Sequence, residues 1–246
     1  MQRGFFIAGV ATAAAERKMS SLNHNLANIN TVGYRADRTS FSTYLAQQTA
    51  GNSQKDLPAA FVQQGDQFID IHAGNYIRSN NPLDMAIYGD GVFHVRLPDG
   101  SDAYTKAGNF QLDSDGQLVT ASGYLVLGES GTPISIPAGV VTVSDEGGIF
   151  VDGNQVGKLA LKKILDPQAL EKGAGSILLT NASNTAGVDA GVRVSQGELE
   201  GSNVDPILSM AEVIDTMRSY QIMMKVVAQY RNVEQQLSEK VGTIRG

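Results

Sequence analysis

The sequence predicts an α+β chain whose N- and C-terminal helices pair as a coiled-coil domain around an all-β middle domain. Three observations carry that prediction. All seven prolines lie between Pro58 and Pro206, and residues 202 to 241 contain no glycine, so the residues that helices tolerate least are concentrated in the middle. Both ends carry apolar residues at alternating steps of four and three, the spacing of a helical seam. Between them, short apolar or alternating runs are punctuated by turn residues.

The first element runs over residues 1–45, a helix and its exit turn. Ala8, Thr12, Ala15, Met19, Leu22, Leu26 and Ile29 form its seam, small residues first and large ones after. Arg3 followed by "GFFIAGVATAAA" also has the form of a short secretory signal with an A-x-A site at Ala11–Ala13. We read the stretch as part of the working protein. No apolar run reaches the roughly 20 residues of a membrane-spanning helix. The seam stops where Asn23, Asn25, Asn28 and Asn30 arrive together in "SSLNHNLANINTVGYRADRTSF". Asparagine amides compete with helical hydrogen bonds, so they suit a helix end with specific polar contacts. Gly33, just beyond, offers a left-handed exit with positive φ.

Residues 46–65 read as a polar connection and 66–200 as the β domain. The runs "FIDIH", "VFHVRL", "YLVL", "VVTV" and "KLALKKIL" suit strands, and "LPDGS", "DSDG", "DEGG" and "VDGN" suit the tight turns between them. The last element, residues 201–246, is a long helix. Ser202 or Asn203 can cap it, and Pro206 fits its first turn. One seam runs Ile207, Met210, Ile214, Met217, Gln221, Met224, Ala228. A second runs Val213, Thr216, Tyr220, Met223, Val227, Tyr230, Glu234, Leu237, Val241, Ile244. Together they make an apolar face too wide for one partner, flanked by Arg218, Lys225 and Arg231. The expected subunit interface therefore comprises Met19, Leu22, Leu26 and Ile29 from the first helix. From the last helix it takes Ile207, Met210, Ile214, Met217, Met224 and Leu237. The methionines suit either a core or an adaptable contact surface.

Composition narrows the chemistry. With 19 basic and 25 acidic residues the formal charge is −6, which argues against a nucleic-acid footprint. The absence of cysteine removes disulfides, thiolate metal sites and a cysteine nucleophile. "DSDG" at Asp113–Gly116 lacks the further ligands of a calcium loop and reads as a hairpin turn. "GDG" at Gly89–Gly91 lacks the rest of a dinucleotide fingerprint, and "GESGT" at 128–132 is not a nucleophile elbow. His24, His72 and His94 are scattered and read as structural. No catalytic, cofactor or metal residue is assigned.

Three segments, in order, carry a family resemblance. "NHNLANINTVGYR" resembles the N-terminal signature of bacterial flagellar rod and hook proteins, NNLAN-x-x-T-x-G-[FY]-[KR], matched by Asn25, Leu26, Ala27, Asn28, Thr31, Gly33, Tyr34 and Arg35. His24 stands where the signature usually has its first asparagine. "NNPLDMAIYGDGVFHVRLPDGSDAYTKAGNFQLDSDGQLVTASGYLVLG" resembles the family's β-domain signature, and "QGELEGSNVDPILSMAEVIDTMRSYQIMMKVV" its C-terminal one. "EGSNV" and the short link between Leu45 and Phe68 look like proximal-rod members, whereas "AYTKAGNFQLDSDGQLVTASGY" is also close to distal-rod members; the proximal rod is the expectation.

The resemblance implies a structural, non-catalytic subunit of the basal-body rod, exported through the flagellar type III apparatus without a cleaved signal. It implies stacking with copies of itself and other rod proteins into a hollow, torque-transmitting shaft in the periplasm. Terminal helices would form the inner tube and the β domain an outer layer. An enzyme with a dispersed site, or a soluble β domain with helical oligomerisation arms, fits the composition but accounts for none of the three ordered motifs.

Overall fold

Helices α1 (Gln2–Ala27) and α2 (Pro206–Thr243) close the chain at its two ends and pack on each other. The computed structural model describes residues 2–45 and 60–243, with side-chain surroundings for 8–39, 68–233 and 236. The connection expected at 46–65 falls mostly outside the described residues. The chain forms two compact units. One gathers Met1–Leu26, Asp37–Gln67 and Pro206–Gly246; the other gathers Ala27–Ala36 and Phe68–Asp205.

In the helical unit, strands β1 (Asp37–Leu45) and β2 (Ala60–Ile69) pair as a two-stranded ribbon. The sequence reading placed no strand here, because "DRTSFSTYL" is polar and the expected "FIDIH" strand starts later. The observed strand instead ends at Ile69.

The second unit contains β3 (Tyr76–Arg78), β4 (Met85–Tyr88), β5 (Val92–Arg96), β6 (Asp102–Thr105), β7 (Phe110–Leu112), β8 (Leu118–Thr120) and β9 (Leu125–Val126). After these come β10 (Val141–Val143), β11 (Gly148–Val151), β12 (Asn154–Lys158), β13 (Leu161–Ile164), β14 (Glu171–Lys172) and β15 (Ile177–Leu179). The last strands are β16 (Thr185–Gly187), β17 (Arg193–Gln196) and β18 (Glu198–Glu200). The main sheet runs β14-β15-β6-β5-β9-β8-β7, with β13 also on β5 and β16 on β13. A three-stranded sheet β10-β11-β12 and the pairs β17-β4 and β18-β3 complete it. The turns sit where Gly and Asp foretold. "LPDGS" joins β5 to β6, "DSDG" β7 to β8, "DEGG" β10 to β11 and "VDGN" β11 to β12. At "DSDG" the Asp113 carboxylate accepts from the backbone N–H of Asp115 and Gln117, which accounts for the aspartate without a metal.

Strand β5 explains the apolar density of "VFHVRL". Phe93 and Val95 enter the main core with Met85, Ile87, Leu118, Val126 and Ile149, and Phe93 meets Phe110 edge-on at 4.9 Å. Val92, on the opposite face, enters a second cluster with Ile69, Tyr104, Ile164 and Leu178. Both faces of the strand are buried, so its residues read as a continuous run. His94 shares the second face, stacked on Tyr104.

Candidate assembly surface and chain junction

The two seams of α2 part company in the folded chain. Val213, Tyr220, Met223, Val227 and Tyr230 are half-buried, and Ser209 and Thr216, at the same heptad spacing, are buried. This seam meets α1: the Tyr220 hydroxyl hydrogen-bonds Glu16, which raises the phenol's pKa. On α1, Ala8 and Leu22 are buried, and Thr12, Ala15, Met19 and Leu26 are half-buried. The other seam of α2 stays in solvent. Ile207 is 81% exposed and Met217 51%, and Met210, Ile214 and Met224 are exposed with them. Leu237 lies on α2, but its side chain is outside those described. Ile29 lies beyond the end of α1 and packs in the β unit against Tyr34, Ala36 and Val204.

The asparagine-rich turn shows what its polar residues do. α1 ends at Ala27. Thr31 closes the turn, its N–H bonding the Asn28 carbonyl at 3.1 Å and its hydroxyl the Asn28 side chain at 3.1 Å. Gly33 has φ +67°, and a Cβ there would lie 2.2 Å from the Ala107 nitrogen. Two independent constraints therefore demand glycine. The Gly33 N–H bonds the Glu200 carbonyl at 2.8 Å, and the Val32 carbonyl accepts from Ser176 Oγ at 2.7 Å. Tyr34 is buried with the Lys172 ammonium 4.0 Å above its ring.

Arg35 is buried against a carboxylate that is fully buried, Glu200. The guanidinium meets Glu200 Oε1 at 2.5 Å, Gly74 N–H donates to the same oxygen at 3.0 Å, and Lys106 Nζ lies 3.3 Å from Oε2. Lys106 also donates to the Gly89 carbonyl at 2.9 Å. Burial lowers the Lys106 pKa, and Glu200 works in the opposite direction. Burial, with Glu200 next, pushes the nearby Tyr76 phenol up to about 12. Neither Glu200 nor Lys106 stood out in the sequence reading. The glutamate lies in a polar run, "QGELEGSN", that gives no periodic sign of burial. Asn203, read as a helix cap, instead grips backbone. Its Oδ1 accepts from Ala36 N–H at 2.7 Å, and its Nδ2 donates to the carbonyls of Asp70 at 2.8 Å and His72 at 3.1 Å.

Among the described residues no cluster of His, Asp or Glu is placed to hold a metal ion. The arrangement is one of packing surfaces and backbone clamps.

Comparison with known proteins agrees with this character. Residues 86–151 match the family profile described as the flagellar hook protein FlgE/F/G D1 domain. Residues 195–239 match that of the flagellar basal body rod FlgEFG protein C-terminal region. The chain is 33% identical to the flagellar basal-body rod protein FlgF of Rhizobium meliloti over 249 aligned positions, covering 100% of this chain and 99% of the relative. It is 34% identical to FlgG of Caulobacter vibrioides, over 88% of this chain and 90% of the relative. With FlgG of Bacillus subtilis it shares 33% identity over 90% and 92%. An origin shared over the whole length, with both family regions in order, means that the chain belongs to the flagellar basal-body rod family, a structural and non-enzymatic one.

Proposed function

We propose that the chain is a proximal-rod subunit that assembles helically, through α2, into a hollow torque-transmitting shaft. The observation that carries the assembly reading is the divided face of α2, one seam covered by its own chain and one exposed. The exposed seam of Ile207, Met210, Ile214, Met217 and Met224 is the surface for neighbouring subunits, joined by Leu237 from the second seam farther along α2. Met19, Leu22 and Leu26 support it from beneath, and Ile29 ties the exit turn. Burying each Leu, Ile or Met contributes roughly 1.5–3 kcal/mol. A contact between unlike surfaces repeats along a filament rather than closing into a dimer. The partners are further copies and other rod proteins, and the route is the flagellar type III apparatus to the periplasm without a cleaved signal. Among the described residues no helix is long and apolar enough to cross a membrane.

The proximal assignment draws on the FlgF relative, matched over nearly its whole length, and on the short Leu45–Phe68 link. The distal reading draws on FlgG relatives of similar identity. Imaging basal bodies from cells lacking the chain separates the two. A proximal subunit leaves no rod beyond the missing segment; a distal one leaves a proximal stub.

A further inference from the structure

The chain passes between its helical unit and its β unit at the Ala36–Asp37 peptide, among other points. The two residues flanking that bond are each held by an asparagine amide from their own unit. In the helical unit, Asn25 Oδ1 accepts from Asp37 N–H at 2.8 Å, and Asn25 Nδ2 donates to the Asp37 carbonyl at 2.9 Å. In the β unit, Asn203 Oδ1 accepts from Ala36 N–H at 2.7 Å, and the Ala36 carbonyl accepts from Asp70 N–H at 2.9 Å. Asn203 Nδ2 holds the Asp70 and His72 carbonyls just after another crossing, and Val204 leads to the last one at 205–206. An asparagine side chain suits this because it offers an acceptor and a donor with the spacing of a peptide group. Both bonds of Asn25 must stretch together when Asp37 is pulled, and the Asn203 amide ties Ala36 to the Asp70–His72 segment.

We propose that Asn25 and Asn203 are a paired peptide clamp that bears mechanical load where the chain crosses between its two units. The proposal rests on the rod-subunit reading. The fold supplies its own control, since Asn184 grips Asp166 in the two-bond manner in which Asn25 grips Asp37, accepting from its N–H at 2.7 Å and donating to its carbonyl at 2.9 Å, within the β unit and at no crossing.

The test uses the full chain with Asn25→Ala, Asn203→Ala, Asn203→Asp and Asn184→Ala. Asn203→Asp keeps the acceptor for Ala36 but turns an oxygen toward two carbonyls. Residue-resolved amide exchange is expected to accelerate at least tenfold at Asp37 for Asn25→Ala and at Ala36 for Asn203→Ala, with neither moved by Asn184→Ala. In cells carrying each variant as the only copy, rods are expected in normal number. Swimming speed is expected to be kept in dilute medium and at least halved in viscous medium relative to Asn184→Ala. Unchanged exchange at Ala36 and Asp37 overturns the clamp. Faster exchange with normal swimming under load overturns its mechanical role, as does loss of rods in both Asn25→Ala and Asn203→Asp, which assigns the amides to assembly. Complete rods in cells lacking the chain overturn the subunit reading itself, whatever the exchange shows.

Discussion

Gly33 is held at a point where backbone geometry and packing both reject a side chain. Its φ of +67° costs an L-residue about 1–2 kcal/mol. A Cβ would also meet the Ala107 backbone, which cannot swing aside like a side chain. Gly100 separates the two effects, because its φ is +85° but its Cβ direction is open. Gly33→Ala is expected to destabilise the chain by about 2–4 kcal/mol, and Gly100→Ala by only about 1–2 kcal/mol, in denaturant unfolding. Equal losses would leave the close approach to Ala107 without weight. Glu200 is the more severe case. Its loss removes the buried carboxylate that both Arg35 and Lys106 meet, so Glu200→Ala is expected to cost roughly 3–5 kcal/mol, a large part of a domain's stability. His94 gives a pH signature. Burial lowers its pKa from 6.5, outweighing the attraction of Asp102 3.5 Å away, and Lys162 adds to the lowering. The unfolded chain therefore binds this proton at higher pH than the folded one. The contribution is whole above pH 6.5 and is lost as pH falls toward the depressed folded value. Melting temperatures of the native chain and His94→Gln between pH 8 and pH 5.5 are expected to show a shallower fall for the variant; parallel curves would exclude His94 as the source.

At the scale of the element, α2 shows how much periodicity can say. Its 38 residues and its two seams were legible, because no proline or glycine interrupts residues 207–241 and the apolar spacing is sustained. Which seam turns inward was not legible, since Ile207, Ile214 and Met217 are as apolar as Val213, Tyr220 and Met223. The choice depends on α1, where Glu16 receives Tyr220. Likewise the asparagine cluster announced a helix end, but not that Asn25 would grip Asp37 while Thr31 closed the turn. Strands β1 and β2 escaped because β1 is mostly polar and the apolar residues of β2 bunch at its two ends, without an alternation to betray a strand. The seam assignment has its own test. Met217→Asp, on the exposed seam, is expected to change monomer stability by no more than about 0.5 kcal/mol while stopping assembly. Met223→Asp, on the covered seam, is expected to weaken the helical unit itself by about 1–3 kcal/mol. Lys225→Ala, at the exposed flank, is expected to leave both nearly unchanged. If Met217→Asp chains assemble normally, the exposed seam is not the contact.

On the scale of the whole molecule, order is unevenly supported within the chain. The β unit encloses two apolar clusters and a buried ion triad, and its strands are tied by long-range pairing. The helical unit has less to bury. α2 exceeds the 26-residue α1 by 12 residues, a length of about 18 Å, so even its covered seam outruns its partner. Helix propensity alone holds such segments only marginally in water. Completion by neighbouring subunits would supply the missing burial to both seams. The monomer is therefore expected to exchange amides quickly over 207–241 while the β unit, Tyr76 to Glu200, stays protected. Assembly is expected to slow exchange over 207–241 by orders of magnitude and leave the β unit almost unchanged. Exchange on the monomer and on the assembled form at one pH and temperature decides it. Equal protection of 207–241 in both states would mean that α1 alone stabilises α2, and that assembly joins helices already formed rather than forming them.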